Sequence, residues 1–328
     1  MRIGVLTSGG DAPGMNACVR TVVRTAIHFN LEVYGIYRGF HGLIKDEIEP
    51  LVSKSVSGII QRGGTVLKSA RSKGFMTDEG QQIAVDQLKK HEIDAVVVIG
   101  GDGSFRGARA LEKHGVKVMC IPATIDNDIA CTDFSIGFDT AVNTVMDAVN
   151  KIRDTASSHE RIYVVEVMGH HSGYIALYSG LAGGADSILI PEVPYDLDQV
   201  CDKISSAYHR GKNHNIIIVA EGVGIKPGAA AENSSVAIGK YIEEKTGCET
   251  RITILGHIQR GGAPTVKDRL LASRLAYTAV NLLHQGKSGK MVGEVDKLVK
   301  AWDLEYALSQ DQQLDMEYYH LANILASV

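Results

Sequence analysis

Ala95-Val96-Val97-Val98-Ile99-Gly100-Gly101-Asp102-Gly103-Ser104 reads as a buried strand that runs straight into an acidic, glycine-rich turn. A β-branched run without polar alternation suits a central strand covered on both faces. The glycines after it let the backbone approach a ligand at the head of the next helix. The pattern recurs outward along the chain: residues 116–121 lead into Pro122-Ala123-Thr124-Ile125-Asp126-Asn127-Asp128, and residues 3–7 into Ser8-Gly9-Gly10-Asp11. Periodicity predicts strands over 3–7, 32–37, 95–99, 117–121, 162–167, 187–190, 215–220 and 251–255. Between them it predicts helices over 16–29, 79–91, 105–114, 140–157, 172–182, 197–209 and 267–284. That order is the signature of an α/β fold with mostly parallel sheets covered by helices. Ligands bind such sheets outside the carboxyl ends of the strands. Here nearly every strand ends in a loop rich in glycine or charge, including 38–42, 168–173, 221–224 and 256–262.

A chain of 328 residues with 45% hydrophobic content is long enough for two lobes. No apolar run approaches the roughly 20 residues that span a bilayer. Met1-Arg2-Ile3-Gly4-Val5-Leu6 turns into a glycine loop instead of a longer signal core, so the expectation is a soluble, cytoplasmic protein without membrane partners. Five cysteines, Cys18, Cys120, Cys131, Cys201 and Cys248, form no CxxC pair and read as reduced and mostly buried, not as disulfides or a zinc cluster. A net charge of -4 gives no general attraction for nucleic acid, so an anionic ligand needs local clusters of Arg and Lys. Residues 226–235 read as a surface loop, and their Asn233-Ser234-Ser235 is a chance match to a glycosylation acceptor.

A lone Gly-Gly-Asp-Gly is often only a tight turn. Three glycines around an acid change the reading: the backbone can touch a phosphate chain, Ser104 can cap the next helix, and Asp102 would repel the phosphates unless it held a bridging divalent metal. Thr124 to Asp128 likewise exceeds what a helix cap needs. Two carboxylates and a hydroxyl in five residues suit a transfer in which one carboxylate accepts an alcohol proton. Asp126 is the candidate base and Asp128 its helper, with the exchanged roles as the alternative. Together the loops point to a kinase acting on an alcohol.

In order along the chain, residues 7–16, Ile99 to Ser104, Thr124 to Asp128, Ser158-His159-Glu160-Arg161, Ala220-Glu221-Gly222 and residues 255–262 resemble the motifs of bacterial ATP-dependent 6-phosphofructokinases. The resemblance runs from the first strand to beyond Arg274. It implies two Rossmann-like three-layer lobes, an ATP-binding lobe of residues 1–138 plus 254–304 and a sugar-phosphate lobe of 139–253 plus 305–328, in a homotetramer. It implies phosphoryl transfer from MgATP to the 1-hydroxyl of fructose 6-phosphate, the committing step of glycolysis. Gly10, Arg71, Ser72, Gly101, Asp102, Gly103 and Ser104 would hold ATP, with Asp102 on Mg2+. Asp126 would be the base, assisted by Thr124, Asp128 and Arg71. Thr124, Ile125, Asp126, Met168, Gly169, His170, Glu221, His257 and Arg260 would contact the sugar phosphate, with Arg161 and Arg251 reaching in from a neighbouring subunit. Arg20 and Arg24, which share a helix face, would join Arg153, Asp186, Arg210 and Lys212 in a site for ADP or phosphoenolpyruvate.

The departures carry expectations of their own. Pyrophosphate-dependent relatives typically have Asp at the position of Gly103 and Lys at that of Ala123, so this chain favours ATP, although Ala123 adds a methyl group where Gly is usual. His170 replaces the family's Arg. Imidazole lacks the bidentate fork, and losing one such donor costs roughly 10² to 10³ in rate, so weak or pH-sensitive turnover is expected. Asp186 stands for Glu and Asn213 for Lys, which implies an altered effector response. A lipid or NAD kinase sharing the Gly-Gly-Asp-Gly loop is one alternative, and a regulatory paralogue with little activity is another.

Overall fold

The structure, a computed structural model, describes residues 1–224 and 234–326. The strands in chain order are β1 (Arg2–Thr7), β2 (Glu32–Ile36), β3 (Ile48–Leu51), β4 (Ala95–Gly100), β5 (Lys117–Thr124), β6 (Ile136–Gly137), β7 (Ile162–Val167), β8 (Ser187–Leu189), β9 (Asn215–Ala220), β10 (Thr250–Ile254), β11 (Lys290–Val295) and β12 (Leu298–Asp303). The described residues divide into two compact units, one from Met1–Thr140 and Arg260–Gln312, the other from Ala141–Gln259 and the segment starting at Gln313. The expected lobe boundaries of 138, 254 and 304 thus differ from the observed ones of 140, 260 and 312 by two, six and eight residues. At the second break the reason is Gln259, whose side-chain oxygen accepts the Met168 N–H at 3.2 Å and keeps the 255–259 turn with the second unit.

The first unit is built on a sheet ordered β12-β11-β5-β4-β1-β2-β3, with β6 added to β5. Neighbours from β11 to β2 run parallel, and only the edge strands β12 and β3 are antiparallel. From β1 the chain moves one way along the sheet to β2; from β4 it moves the other way to β5. The topological switch point is therefore the β1/β4 junction, where Thr7 pairs with Ile99. Every residue of β4 is buried, and Leu6, Val96, Val98, Phe105 and Leu111 pack into one core with Phe40 stacked on Phe75 at 4.3 Å. Each such side chain stabilises the fold by about 1.5–3 kcal/mol relative to exposure. The second unit holds an all-parallel sheet ordered β10-β7-β9-β8. Cys18 and Cys120 are fully buried free thiols whose pKa burial pushes up, which leaves them unreactive core filler.

Several boundaries differ from the sequence reading. β5 extends to Thr124 because Ala123 and Thr124 gain a partner in β6, which no local pattern announces. The helix Asp102–Lys113 starts three residues before 105 on Gly101 as its cap, so Ser104 is buried in the first turn and is not the capping residue. The loop expected after β2 is a short helix, Gly39–Ile44, entered through Arg38 at φ 56°. Ser234 and Ser235, expected in a loop, open the helix Ser234–Thr246. Residues 226–233 of that loop, with Asn233 of the acceptor match, and the last two residues of the tail lie outside the described residues.

Candidate active site

Three loops meet at the carboxyl edge of the first unit's sheet. Gly9 and Gly10 leave β1, and Arg260 lies against them: its guanidinium donates to the Asp11 carbonyl at 3.3 Å, and a Cβ on Gly10 would sit 2.5 Å from that nitrogen. A side chain at position 10 would push the Arg260 guanidinium out of this place. From β4, Gly100 comes so close to Ser8 that an added Cβ would lie 2.5 Å from its carbonyl oxygen, so the β1 and β4 loops form one continuous backbone surface. Asp102 is the first helical residue, where backbone N–H groups and the helix dipole face outward. Its carboxylate accepts from Arg106 Nε at 2.8 Å. A Cβ on Gly103 would meet nothing within 4 Å, so the loop is open toward solvent.

The segment that leads to Arg71 and Ser72 is pinned by Asn16. The Asn16 amide donates to the Arg62 and Gly63 carbonyls at 3.1 and 3.0 Å and accepts from Val66 N at 2.7 Å, while Ser69 donates to the Gly9 carbonyl at 2.8 Å. Arg71 itself is exposed.

At the end of β5 the Thr124 hydroxyl donates to Asp126 Oδ2 at 3.2 Å, and the Asp126 N–H returns to the same hydroxyl at 3.3 Å. Asp126 is half-buried and Asp128 exposed. Between them Asn127 is buried at φ 54°; its side chain donates to the Asp133 carbonyl at 3.1 Å and accepts from Ser135 N at 2.8 Å. Asn127 thus folds the loop and leaves both acids at its rim. No cluster of three or more His, Cys, Asp or Glu suited to a metal ion occurs among the described residues. A cation at Asp102 would take its remaining ligands from phosphate oxygens and water, the usual habit of Mg2+.

In the second unit the expected residues separate into two sets at opposite ends of the strands. At the carboxyl edge, Glu221 accepts from the backbone N–H groups of Gly169 (3.2 Å) and His170 (2.8 Å), which holds His170 at φ 56° with its ring 3.9 Å from that of His171. Met168 is buried, and His257 is exposed in the turn after β10. At the amino edge, Arg161 precedes β7 and donates to Glu249 Oε2 at 2.6 Å, while Arg251 pairs with the other oxygen of the same carboxylate. The hydrogen bond from Arg161, with the charges of both arginines, holds Glu249 below the usual carboxylate range. Of the regulatory candidates, Lys212 pairs with Asp186, and Arg153 donates to the Gly183 and Gly184 carbonyls just before it. Arg210 is exposed at the end of the helix Leu197–His209. In the first unit Arg20 is held below its ordinary pKa by burial and by the adjacent charge of Arg24.

Residues 2–283 match the profile of the family described as phosphofructokinase. The chain is 56% identical to the ATP-dependent 6-phosphofructokinase of Halothermothrix orenii over 329 residues, covering 99% of each chain. It is 55% identical to that of Bacillus licheniformis, again over 99% of each. The chain belongs to the phosphofructokinase family. Among solved structures, the phosphofructokinase of Pichia pastoris in its T-state aligns with a TM-score of 0.88 at 33% identity over 99% of this chain, which spans 39% of that longer one.

Sequence reasoning passed over several residues that shape this phosphofructokinase fold around its loops. Asn127 lies within the Thr124–Asp128 motif, yet its role depends on Asp133 and Ser135 folding back over it. Glu249 lies two positions before Arg251, just ahead of β10, and that spacing was the available signal. Asn16 and Arg62 are 46 residues apart, and no local pattern links them.

Proposed function

We propose that this chain transfers the γ-phosphoryl group of ATP to the 1-hydroxyl of fructose 6-phosphate, giving fructose 1,6-bisphosphate and ADP in glycolysis. The observation that supports it most is the placement of the Thr124–Asp126 pair beside the glycine loops of β1 and β4, on a chain similar from end to end to ATP-dependent 6-phosphofructokinases.

Asp126 accepts the hydroxyl proton as the alcohol oxygen attacks the γ-phosphorus and the bond to the bridging oxygen of ADP breaks. Thr124 keeps the carboxylate oriented through its hydroxyl. Gly10, Gly101, Gly103, Ser104 and Ser72 give the nucleotide a close backbone approach, and Arg71 is free to swing onto the transferring group. Asp102 fits Mg2+ as an open, hard oxygen donor, and the ion, when bound, supplies neutralisation of phosphate charge. Most of the rate then comes from positioning and charge stabilisation, as expected for a loose transition state. In the second unit Met168, Gly169, His170, Glu221 and His257 are the proposed contacts of the sugar phosphate. Arg161 and Arg251 stand at the far end of the β7 and β10 strands, roughly 20 Å away by strand rise. A second copy of the chain supplies them, which is the physical basis for an oligomer. Arg20, Arg24, Arg153, Asp186, Arg210 and Lys212 form the effector site for ADP or phosphoenolpyruvate; substrate saturation curves unchanged by either compound would remove it.

The test is a coupled assay with fructose 6-phosphate and Mg2+, comparing ATP with pyrophosphate and wild type with Asp126→Asn. The expected result is turnover with ATP alone, lowered about 10²- to 10⁴-fold in the variant. Sugar-phosphate binding without turnover by either donor would favour the regulatory paralogue.

A further inference from the structure

The helix Val266–His284 carries a buried acid that none of the proposed chemical steps uses. Asp268 is 1% exposed. The hydroxyl of Thr265, the helix cap, accepts its N–H at 3.2 Å and fixes it in the first turn. The carboxylate points away from its own helix and accepts from one short segment: Gly137 N–H to Oδ1 at 2.9 Å, and both the N–H (2.8 Å) and the hydroxyl (2.5 Å) of Thr140 to Oδ2. The Thr140 hydroxyl in turn accepts the Thr265 N–H at 3.0 Å. Gly137 and Thr140 stand at the start of the helix Phe138–His159, whose first N–H groups have no partner in their own helix.

What Gly137 pairs with makes this more than a helix cap. In β6 it lies in register with Thr124, and Ile136 with Ala123. The adjoining Ser135 donates its hydroxyl to the Thr124 carbonyl at 2.7 Å and its N–H to Asn127 at 2.8 Å. The segment that Asp268 grips is therefore the wall on which Thr124 and Asp126 are set. The β1 loop closes on the same joint without slack: a Cβ on Gly137 would lie 2.6 Å from the Ala12 Cβ, and one on Gly14 would lie 2.6 Å from Ile136 and 3.6 Å from the Asp268 Cβ. A carboxamide could not replace the carboxylate, since it offers one acceptor oxygen and turns its NH2 toward other donors.

We infer that Asp268 is a positioning residue for phosphoryl transfer: its carboxylate fixes the 137–140 turn and, through the β5–β6 pair, sets Thr124 and Asp126 in reacting geometry. This rests on Asp126 being the base. The test uses full-length wild type, Asp268→Asn, Thr140→Val and Thr140→Ser, with steady-state kinetics on fructose 6-phosphate and ATP and hydrogen–deuterium exchange over residues 122–140. Expected is a fall in kcat of about 10- to 100-fold for Asp268→Asn and Thr140→Val, with the KM for ATP changed less than about threefold. Thr140→Ser, which keeps the hydroxyl, should recover most of the rate. Exchange should quicken over 122–140 and not elsewhere. A wild-type kcat in Asp268→Asn, or faster exchange spread over the whole chain, would overturn the inference. A wild type without turnover would instead overturn the kinase reading, and the exchange data would still decide whether Asp268 holds the loop.

Discussion

His170 stands in a left-handed backbone position, and Glu221 fixes both its own N–H and that of Gly169. The direction of the side chain is therefore set by the backbone, and exchanging the residue changes the head group while leaving the turn in place. Arg38 already adopts the same φ of 56° elsewhere in the chain, so arginine tolerates the conformation. If position 170 faces the sugar phosphate, His170→Arg restores a two-pronged donor. The expected outcome is a rise in kcat/KM for fructose 6-phosphate of up to about 10², with the KM for ATP unchanged. Steady-state kinetics on both substrates measures it; an unchanged value would mean that position 170 has no part in the reaction, and a lower one that the imidazole serves it better than a guanidinium. At this scale the sequence showed the acids Asp102 and Asp126 through their glycine and hydroxyl neighbours. It did not show Asn127, Glu249 or Asp268, whose meaning lies in what the folded chain brings to them.

Buried central strands were legible because β1, β4, β7 and β9 are largely apolar runs, broken inside only by Glu166 of β7. The edge strands were not: β12 alternates weakly over exposed residues, and β6 is two residues whose only reason to be extended is β5. Helix starts were blurred in the same way, since the start of Phe138–His159 is satisfied by a residue from another helix. That tertiary cap has a pH signature. Burial, more than the nearby charge of Asp139, pushes the Asp268 carboxyl up to about 6 from an ordinary 3.8, against the opposing pull of its hydrogen bonds. Asp139 itself faces Lys267 at 3.7 Å and accepts from the Thr265 hydroxyl at 2.7 Å. With the folded value above the unfolded one, this group's contribution to stability is full below about pH 4 and is lost as pH rises toward 6. At about 1.4 kcal/mol per pH unit, the change amounts to roughly 3 kcal/mol. Urea unfolding at pH 4.5 and pH 7 should therefore show the stability of wild type relative to Asp268→Asn falling as pH rises; a pH-independent difference would refute it. At neutral pH the ionised carboxylate then costs stability while holding the β5–β6 joint, the trade expected where function needs a fixed charge.

At the level of the assembled molecule, the decisive fact is the separation of the two groups of candidate residues within one sheet. Glu221 and Met168 follow the carboxyl ends of β9 and β7, whereas Arg161 and Arg251, joined through Glu249, lie at the amino ends of β7 and β10. A strand is rigid, so the roughly 20 Å between these ends cannot close within one chain. If both groups serve one substrate, each site draws on two subunits, and an inactivated subunit of one kind can complement an inactivated subunit of the other. Asp126→Asn removes the base and Arg251→Ala removes a partner-supplied cation, so each pure variant should be nearly inactive. When equal amounts are dissociated and reassembled together, a site is intact only where the chain that keeps Asp126 meets a chain that keeps Arg251. Random pairing makes that about one quarter of the sites, and recovered activity near that fraction of wild type is expected. Activity that stays at the level of the separate variants, with mixed oligomers demonstrated by mass spectrometry, would confine each site to a single chain and leave Arg161, Glu249 and Arg251 as a surface ion-pair cluster.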